Sequence, residues 1–413
     1  MHRKKILAVA VAGALSMGSA GVALAAGGAG ESNYVIYGKL YPQVSSYDYD
    51  GATLSGTTGG SSLVAAPSAT ANHSQRSTVD VSNSRIGFRG SEDLGGGLRA
   101  IFQIEQRVRF DNGTGTWAGN RDSFVGLAGG LGAFKVGNMD TAYKQVGDKL
   151  SFLGISSGNF VANSNLLARG PTDAIDFHLR QANVMNYESP KFFGLQFLGS
   201  WGKDENKGNP GTSTNVLLLS YGLTYEMGPL YLALGYEIHK DFFAGSVGFT
   251  AVSSPAAARG PDVRSSDTAA RVTAMYKIGE TTLSLDVSEI ELNESGLILA
   301  GDFKSYKNQR IAAGVEQKFG NITGAVSVVT SDKGTCTLEG AATCDTAGLD
   351  GRIINVGGSY EFSRRTSAFV IFSQMKNGQS AAYNSVAINP SGGTAPQQGE
   401  DVTAIGVGVS HSF

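Results

Sequence analysis

Residues 84–105 read SRIGFRGSEDLGGGLRAIFQIE. Arg85, Gly87 and Arg89 alternate with Ile86 and Phe88. After Gly95-Gly96-Gly97 the alternation resumes, with Arg99, Ile101, Gln103 and Glu105 set against Leu98, Ala100, Phe102 and Ile104. A period of two is the signature of a β-strand. A soluble sheet would put the apolar side on a protein core and the charged side in water. Which side is the interior here depends on the rest of the chain.

The N-terminus bears on the compartment. MHRKKILAVAVAGALSMGSAGVALAA opens with Arg3, Lys4 and Lys5, continues with small and aliphatic residues, and reaches Ala23-Leu24-Ala25. Residues 1–25 therefore read as a secretory signal peptide, cut after Ala25. A membrane anchor is the competing reading, but the apolar stretch is short for a span and no stop-transfer charge cluster follows. Removing the signal takes the formal net charge from −2 to −5. A mildly acidic chain without a basic face or tail does not suggest nucleic acid as a partner.

Gly accounts for 57 of 413 residues, roughly twice its usual share, and Pro for only 10. No apolar run beyond residue 26 approaches the length of a membrane helix. The chain is long for one soluble domain, yet no linker divides it, and amphipathic helices are missing. Short alternating segments in a Gly- and Tyr-rich exported chain are the pattern of a transmembrane β-barrel.

The alternation predicts sixteen strands, near 34–47, 79–92, 98–110, 121–129, 133–138, 183–190, 194–203, 214–227, 230–239, 267–278, 281–291, 306–319, 322–331, 351–363, 365–375 and 400–413. Tight Gly, Asn or Pro turns join them at one end. Longer loops join them at the other, near 48–78, 111–120, 139–182, 204–213, 240–266, 292–305, 332–350 and 376–399. Strict short/long alternation fits periplasmic turns and external loops, whereas a β-sandwich would not need it. An even strand number lets the first and last strands pair and abolish the edges, which lipid demands. In the last strand, Val402, Ala404, Gly406, Gly408, Ser410 and Ser412 form a small-residue face, opposite Thr403, Ile405, Val407, Val409, His411 and Phe413. The expected fold is all-β, one closed sixteen-stranded barrel over residues 26–413.

Several stretches resemble a known family. SRIGFRGSEDLGGGLRAIFQIE resembles the second and third strands of the general trimeric porins of Gram-negative outer membranes. RDSFVGLAGGLGAFKVGN looks like their next hairpin, NVMNYESPKFFGLQF the strand leaving their third loop, and YVIYGKLYPQV their first strand. GVGVSHSF, with His411 and terminal Phe413, resembles the signature read by the outer-membrane assembly machinery. Residues 204–399 match only in rhythm. The resemblance implies a homotrimer embedded in outer-membrane lipid and lipopolysaccharide. It also implies a third loop, 139–182, folded inward to narrow the pore, and passive diffusion of small ions and hydrophilic solutes.

By the same resemblance, the family's basic wall cluster falls on Lys39 in YGKLY, Arg85 in SRIGF, Arg121 in RDSFVGL and Arg180 in HLRQANVMNY. Parity agrees for Lys39 and Arg85; the plainer reading of Arg85 is a surface arginine at a strand end. Arg89, Arg99, Arg107 and Arg109 are expected as secondary lumen lining. The loop departs from the family: AYKQVGDKLSFLG places Lys144 and Lys149 around Asp148 where cation-preferring porins carry an acidic cluster. Asp173 and Asp176 are expected to supply acidic groups from the returning limb. Selectivity in such a pore comes from charge and lumen size, and a Lys/Arg-rich constriction favours anions.

Other readings compete. A sugar- or phosphate-specific porin would show an aromatic slide, for which Tyr41, Tyr47 and Tyr49 are candidates. A barrel serving as adhesin or structural platform would lengthen its outermost loops, whereas here the long loop follows a short strand. A transporter with about 22 strands and a plug needs a longer chain. The five histidines are scattered and no catalytic motif appears, so no enzyme, cofactor or metal is expected. Cys336 and Cys344 share the loop TSDKGTCTLEGAATCDTAG. An exported compartment favours a disulfide, and a metal pair would need further ligands nearby.

Overall fold

Gly95, Gly96 and Gly97 have φ angles of +84°, +63° and +80°, which L side chains rarely adopt. They reverse the chain at once, so the two halves of the opening stretch pair as antiparallel strands from Arg85↔Arg107 to Gly95↔Leu98. The same logic repeats along the chain. The computed structural model describes residues 33–81, 83–111, 117–172, 175–203, 216–242, 249, 263–296, 300–341, 343–383 and 395–413. The expected signal peptide and Asp173 lie outside the described residues.

In chain order the strands are β1 (Asn33–Leu40), β2 (Gln43–Asp50), β3 (Arg76–Asp80), β4 (Arg85–Gly95), β5 (Leu98–Val108), β6 (Trp117–Asn120), β7 (Ser123–Gly129), β8 (Gly132–Asp140), β9 (Arg180–Glu188) and β10 (Leu195–Lys203). There follow β11 (Leu217–Met227), β12 (Leu230–Lys240), β13 (Val263–Ile278), β14 (Thr281–Gly296), β15 (Phe303–Phe319), β16 (Ile322–Ser331), β17 (Thr335–Leu338), β18 (Gly351–Ser363), β19 (Thr366–Asn377) and β20 (Asp401–Ser412). All pair antiparallel with their neighbours, and β20 pairs with both β1 and β2, which closes the sheet. The wall has sixteen strands, because β1/β2, β3/β4 and β6/β7 are each one wall strand in two pieces, and β17 is a loop strand added beside β15.

The breaks have local causes. The first falls at Tyr41-Pro42, where proline has no N–H for the ladder. Lys39 pairs Arg85 but Gln43 pairs Asp80, so the second wall strand carries one extra residue, a β-bulge. The sixth wall strand, β9, starts at Arg180 rather than 183. Strands β13, β14 and β15 run 16 to 17 residues, longer than their alternation alone predicts, and stand above the span needed for a bilayer. No helix among the described residues is long and apolar enough to cross a membrane; the strands cross it.

Alternation sets two faces. On β12, Leu232, Leu234 and Tyr236 are 40–52% exposed outward, while Tyr231, Ala233 and Glu237 are buried inward. Ile104 and Phe88, paired across β4 and β5, lie on the outer face. The apolar side of the opening stretch therefore faces out, and its arginines face in.

The interior is filled by the loop between β8 and β9, residues 141–179, with two short helices, α1 (Ala142–Gly147) and α2 (Ser164–Leu167). Thr141 caps α1, its hydroxyl accepting from Lys144 N at 3.3 Å. The loop is tied to the inner wall almost all the way round. Ser200 and Ser220 hydroxyls accept from the N–H groups of Ala142 and Tyr143 at 2.9 and 2.8 Å. Tyr231 donates to Val146 O (3.0 Å) and Ser288 to Leu167 O (3.0 Å). Ser327 donates to Asn163 Oδ1 (2.9 Å), Asn355 to Val161 O (2.9 Å), and Asn159 to Gln43 Oε1 (2.8 Å).

Beneath these bonds the loop builds an apolar core. Phe152, Ile155, Phe160 and Leu166 pack on Val329, Ile353, Ile371 and Met375 of the wall. Each such side chain, once buried, contributes roughly 1.5–3 kcal/mol. The small-residue face of the last strand is thus no open lumen lining: Val402 and Ala404 are buried, and Phe160 and Gln43 lie over Gly406. Tyr41, Tyr47 and Tyr49 belong to this core, with Tyr41 stacked on Phe369 at 4.4 Å and Tyr47 edge-on to Phe160 at 5.7 Å. They are packing residues and form no aromatic slide.

The closing seam is specific. Gly38 and Phe413 exchange both backbone hydrogen bonds at 3.1 Å. A Cβ on Gly38 would lie 2.4 Å from the Phe413 ring, so glycine is required for the terminal ring to lie flat there. Gly38 is thus covered by the chain's own last residue. His411 meets Thr366 Oγ1 through Nδ1 at 2.9 Å. Cys336 and Cys344 form a disulfide, with Cα atoms 5.7 Å apart. It packs on an apolar cluster that joins Leu63 of the first loop to Phe177, Phe303, Tyr306 and Leu349.

Candidate functional site: a basic row facing the neck of the inward loop

Register places three cations side by side. Lys39 pairs Arg85 across β1 and β4, and Arg85 pairs Arg107 across β4 and β5. All three point inward. Like charges directly opposite in a sheet repel, so the row costs stability unless countered. Glu105, two residues below Arg107, is the counter-charge. It receives Tyr37 OH at 3.0 Å, lies 3.6 Å from Arg85 Nε, and is held by Arg121 Nε. Arg121 sits in the break between β6 and β7, its backbone N–H on Glu105 O at 2.9 Å. One carboxylate thus serves two arginines. Lys39 and Arg107 have no carboxylate within ion-pair distance among the described residues; the Lys39 ammonium lies 4.7 Å above the Tyr41 ring.

Further along the same wall lies the neck of the inward loop. Asp140 ends β8 and pairs in register with Arg180, which begins β9. The Arg180 guanidinium forks, Nε to Asp122 Oδ1 at 2.5 Å and Nη2 to Asp140 Oδ1 at 2.9 Å. Lys144 Nζ lies 2.9 Å from Asp140 Oδ1 and 3.8 Å from Asp148 Oδ2, and His178 Nε2 lies 3.0 Å from Asp148 Oδ1. Burial works against the Asp148 carboxylate, but Lys144 and His178 hold its pKa well below the usual range. Burial pushes the His178 imidazole pKa down.

The remaining expected residues separate. Arg89 lies over the Tyr37 ring at 4.9 Å, and Arg99 pairs Asp93 beside the turn. Arg109 stands just beyond β5 and acts electrostatically on Arg107. Lys149 turns away to Glu226 Oε1 on the wall at 2.9 Å. Asp176 pairs with Arg169 inside the loop at 3.0 Å, and Asp173 lies outside the described residues. Glu105, Asp122, Asp140 and Asp148 are the carboxylates paired with the arginines and lysine named above. Sequence reasoning placed Glu105 only as lumen lining and passed over Asp122 and Asp140. Their signal was position: Asp122 follows Arg121 directly, and Asp140 stands where the long loop begins.

Two cavities meet the site. One of about 650 Å³ runs from the turns at Gly228-Pro229 and Ser363–Thr366 up to Lys39 and Asn163. Another of about 220 Å³ is lined by Asp122, Asp140 and Asp148. The first cavity therefore reaches the basic row at Lys39, and the second opens on the carboxylates of the neck.

A sequence model of the Gram-negative porin family matches residues 8–380. The chain belongs to the Gram-negative porin family. It is 28% identical over 301 residues to the major outer membrane protein P.IB of Neisseria lactamica, covering 72% of this chain and 78% of that one. To the P.IB protein of Neisseria meningitidis serogroup A it is 27% identical over 347 residues, 80% and 83% of the two chains. Among solved structures, the anion-selective porin from Comamonas acidovorans superposes with a TM-score of 0.66 at 21% identity, over 93% of this chain and all of that one. Outer-membrane expressed OmpT of Vibrio cholerae gives 0.62 at 13% identity, over 92% and 98%. This porin is a passive outer-membrane channel for ions and small hydrophilic solutes, and its family points to a channel rather than an enzyme.

Proposed function

We propose that this porin prefers anions, with Lys39, Arg85, Arg107 and Arg121 as the basic wall of its constriction and Arg180, Lys144 and Asp148 at the loop neck. One observation carries the reading: Lys39, Arg85 and Arg107 share one register row, and Glu105 lies within ion-pair distance of Arg85 but not of Lys39 or Arg107. In a water-filled passage, a unit charge about 8 Å from a permeating ion contributes about 0.5 kcal/mol, roughly a factor of two in partition. Two cations outside ion pairs therefore raise anion partition about fourfold and lower cation partition about as much. The zero-current potential across a planar bilayer in a tenfold KCl gradient reads this directly. A potential of the sign for cation preference at pH 7 overturns it.

The working unit is a homotrimer. The early strands expose an apolar outer face, with Ile36, Phe88, Ile104 and Val125 among its residues. Closed cyclic assembly is the common way to cover such a face. Chemical cross-linking of the detergent-extracted protein should stop at three copies; a product that stays at one copy counts against it.

A further inference from the structure

We infer that Arg180 is a positioning residue, the latch of the inward loop, and not one of the cations that set the ion preference. The second half rests on the anion-preferring reading above; the first does not.

The loop leaves the wall at Asp140 and returns at Arg180, and everything polar at that neck converges on the guanidinium fork. Asp122 Oδ1 accepts from Arg180 Nε and also from the backbone N–H of Asp140 at 3.2 Å. Asp140 Oδ1 takes Arg180 Nη2 and Lys144 Nζ, both at 2.9 Å, while its carbonyl takes Asn186 Nδ2 at 3.0 Å and Gln145 Nε2 at 2.9 Å. Thr141 N donates across the neck to Leu179 O at 3.2 Å. Arg180 thus ties three places together: the start of β7 through Asp122, the end of β8 through Asp140, and its own β9.

The same bonds remove Arg180 from the long-range field. At the neck, Arg180 and Lys144 stand against Asp122, Asp140 and Asp148, so the neck is not a source of positive potential. Charges paired at contact distance present a passing ion with a dipole, whose influence falls off faster than that of a lone charge. Lys39 and Arg107 are the reverse case, cations beside other cations. Only an arginine makes the latch, because two separate carboxylates are met by one planar fork that an ammonium cannot reproduce.

The test compares Arg180→Lys, Arg180→Gln, Lys39→Gln and Arg107→Gln as full-length porin in planar bilayers. Arg180→Lys keeps the charge and loses the fork. It should show brief closures and raised current noise with the wild-type reversal potential. Lys39→Gln and Arg107→Gln should each lower the anion-to-cation permeability ratio about fourfold with quiet currents. Quiet currents from Arg180→Lys overturn the latch. An Arg180→Gln channel that is quiet but loses selectivity as far as Lys39→Gln overturns the division of roles. Should Arg180→Gln fail to assemble, Asp122→Asn removes one arm of the fork, and its noise decides the latch. A wild-type channel without anion preference removes the function reading alone; the noise comparison still decides the latch.

Discussion

At the scale of single residues, charge is set by neighbours more than by identity. His178 shows how. It is buried against Asp148, with Lys144 and Asp176 close by, and burial holds its pKa below the ordinary value near 6.5. An undocked loop would let this imidazole take up a proton that the docked loop refuses. Docking stability is therefore fully present above about pH 6.5 and declines as pH falls through the lower buried value. Current noise and loop proteolysis should both rise as pH falls below about 6.5, and His178→Gln should flatten that response. An unaltered acid response in the variant would place the effect elsewhere. Lys39 and Arg85 were legible in the sequence because alternation assigns an inward side chain without knowledge of any partner. Arg180's role was not, because its second carboxylate stands 58 residues away in the chain.

At the scale of elements, the inward loop is held by an inner wall whose polar residues are matched to it. Asn355 on β18 reaches Val161 O, Asn163 Oδ1 and Ser327 Oγ within 3.1 Å. Asn355→Ala takes the side-chain donor from the buried Val161 carbonyl, at about 1–3 kcal/mol. Hydrogen exchange at amides 161–167 should accelerate, while the strands of the barrel keep their protection. Uniform loosening of barrel and loop together would contradict this separation of roles. Alternation told which residues of β18 point inward, and it told nothing of what they meet. Ser200, Ser220, Ser327 and Asn355 read as lumen lining because an inward polar residue looks the same under water or under a loop. The breaks at Pro42 and around Ser84 were hidden for a related reason. A bulge of one residue leaves the hydrophobic pattern on either side intact.

At the scale of the molecule, the long loops of the first and seventh hairpin ends are tied to each other. Cys336–Cys344 closes a short loop whose next residue, Asp345, accepts from Ser62 N at 3.0 Å and from Ser61 Oγ at 2.7 Å. Serine at both cysteines should leave the barrel's melting temperature in detergent unchanged and expose residues 51–75 and 332–350 to protease. A lower melting temperature would show that barrel and loops unfold as one. The sequence by itself determined the sixteen-strand wall, its closure and the direction each strand residue faces. Those follow from a period of two, from turn residues and from the need to pair every backbone group in lipid. Only the tertiary structure decided what the inward faces meet: a loop packed against the inner wall, three tyrosines in a core, and carboxylates from β5, the break before β7 and the end of β8 gathered beside a basic row. Contacts between residues far apart in the chain arise when the barrel closes, and no local pattern encodes them.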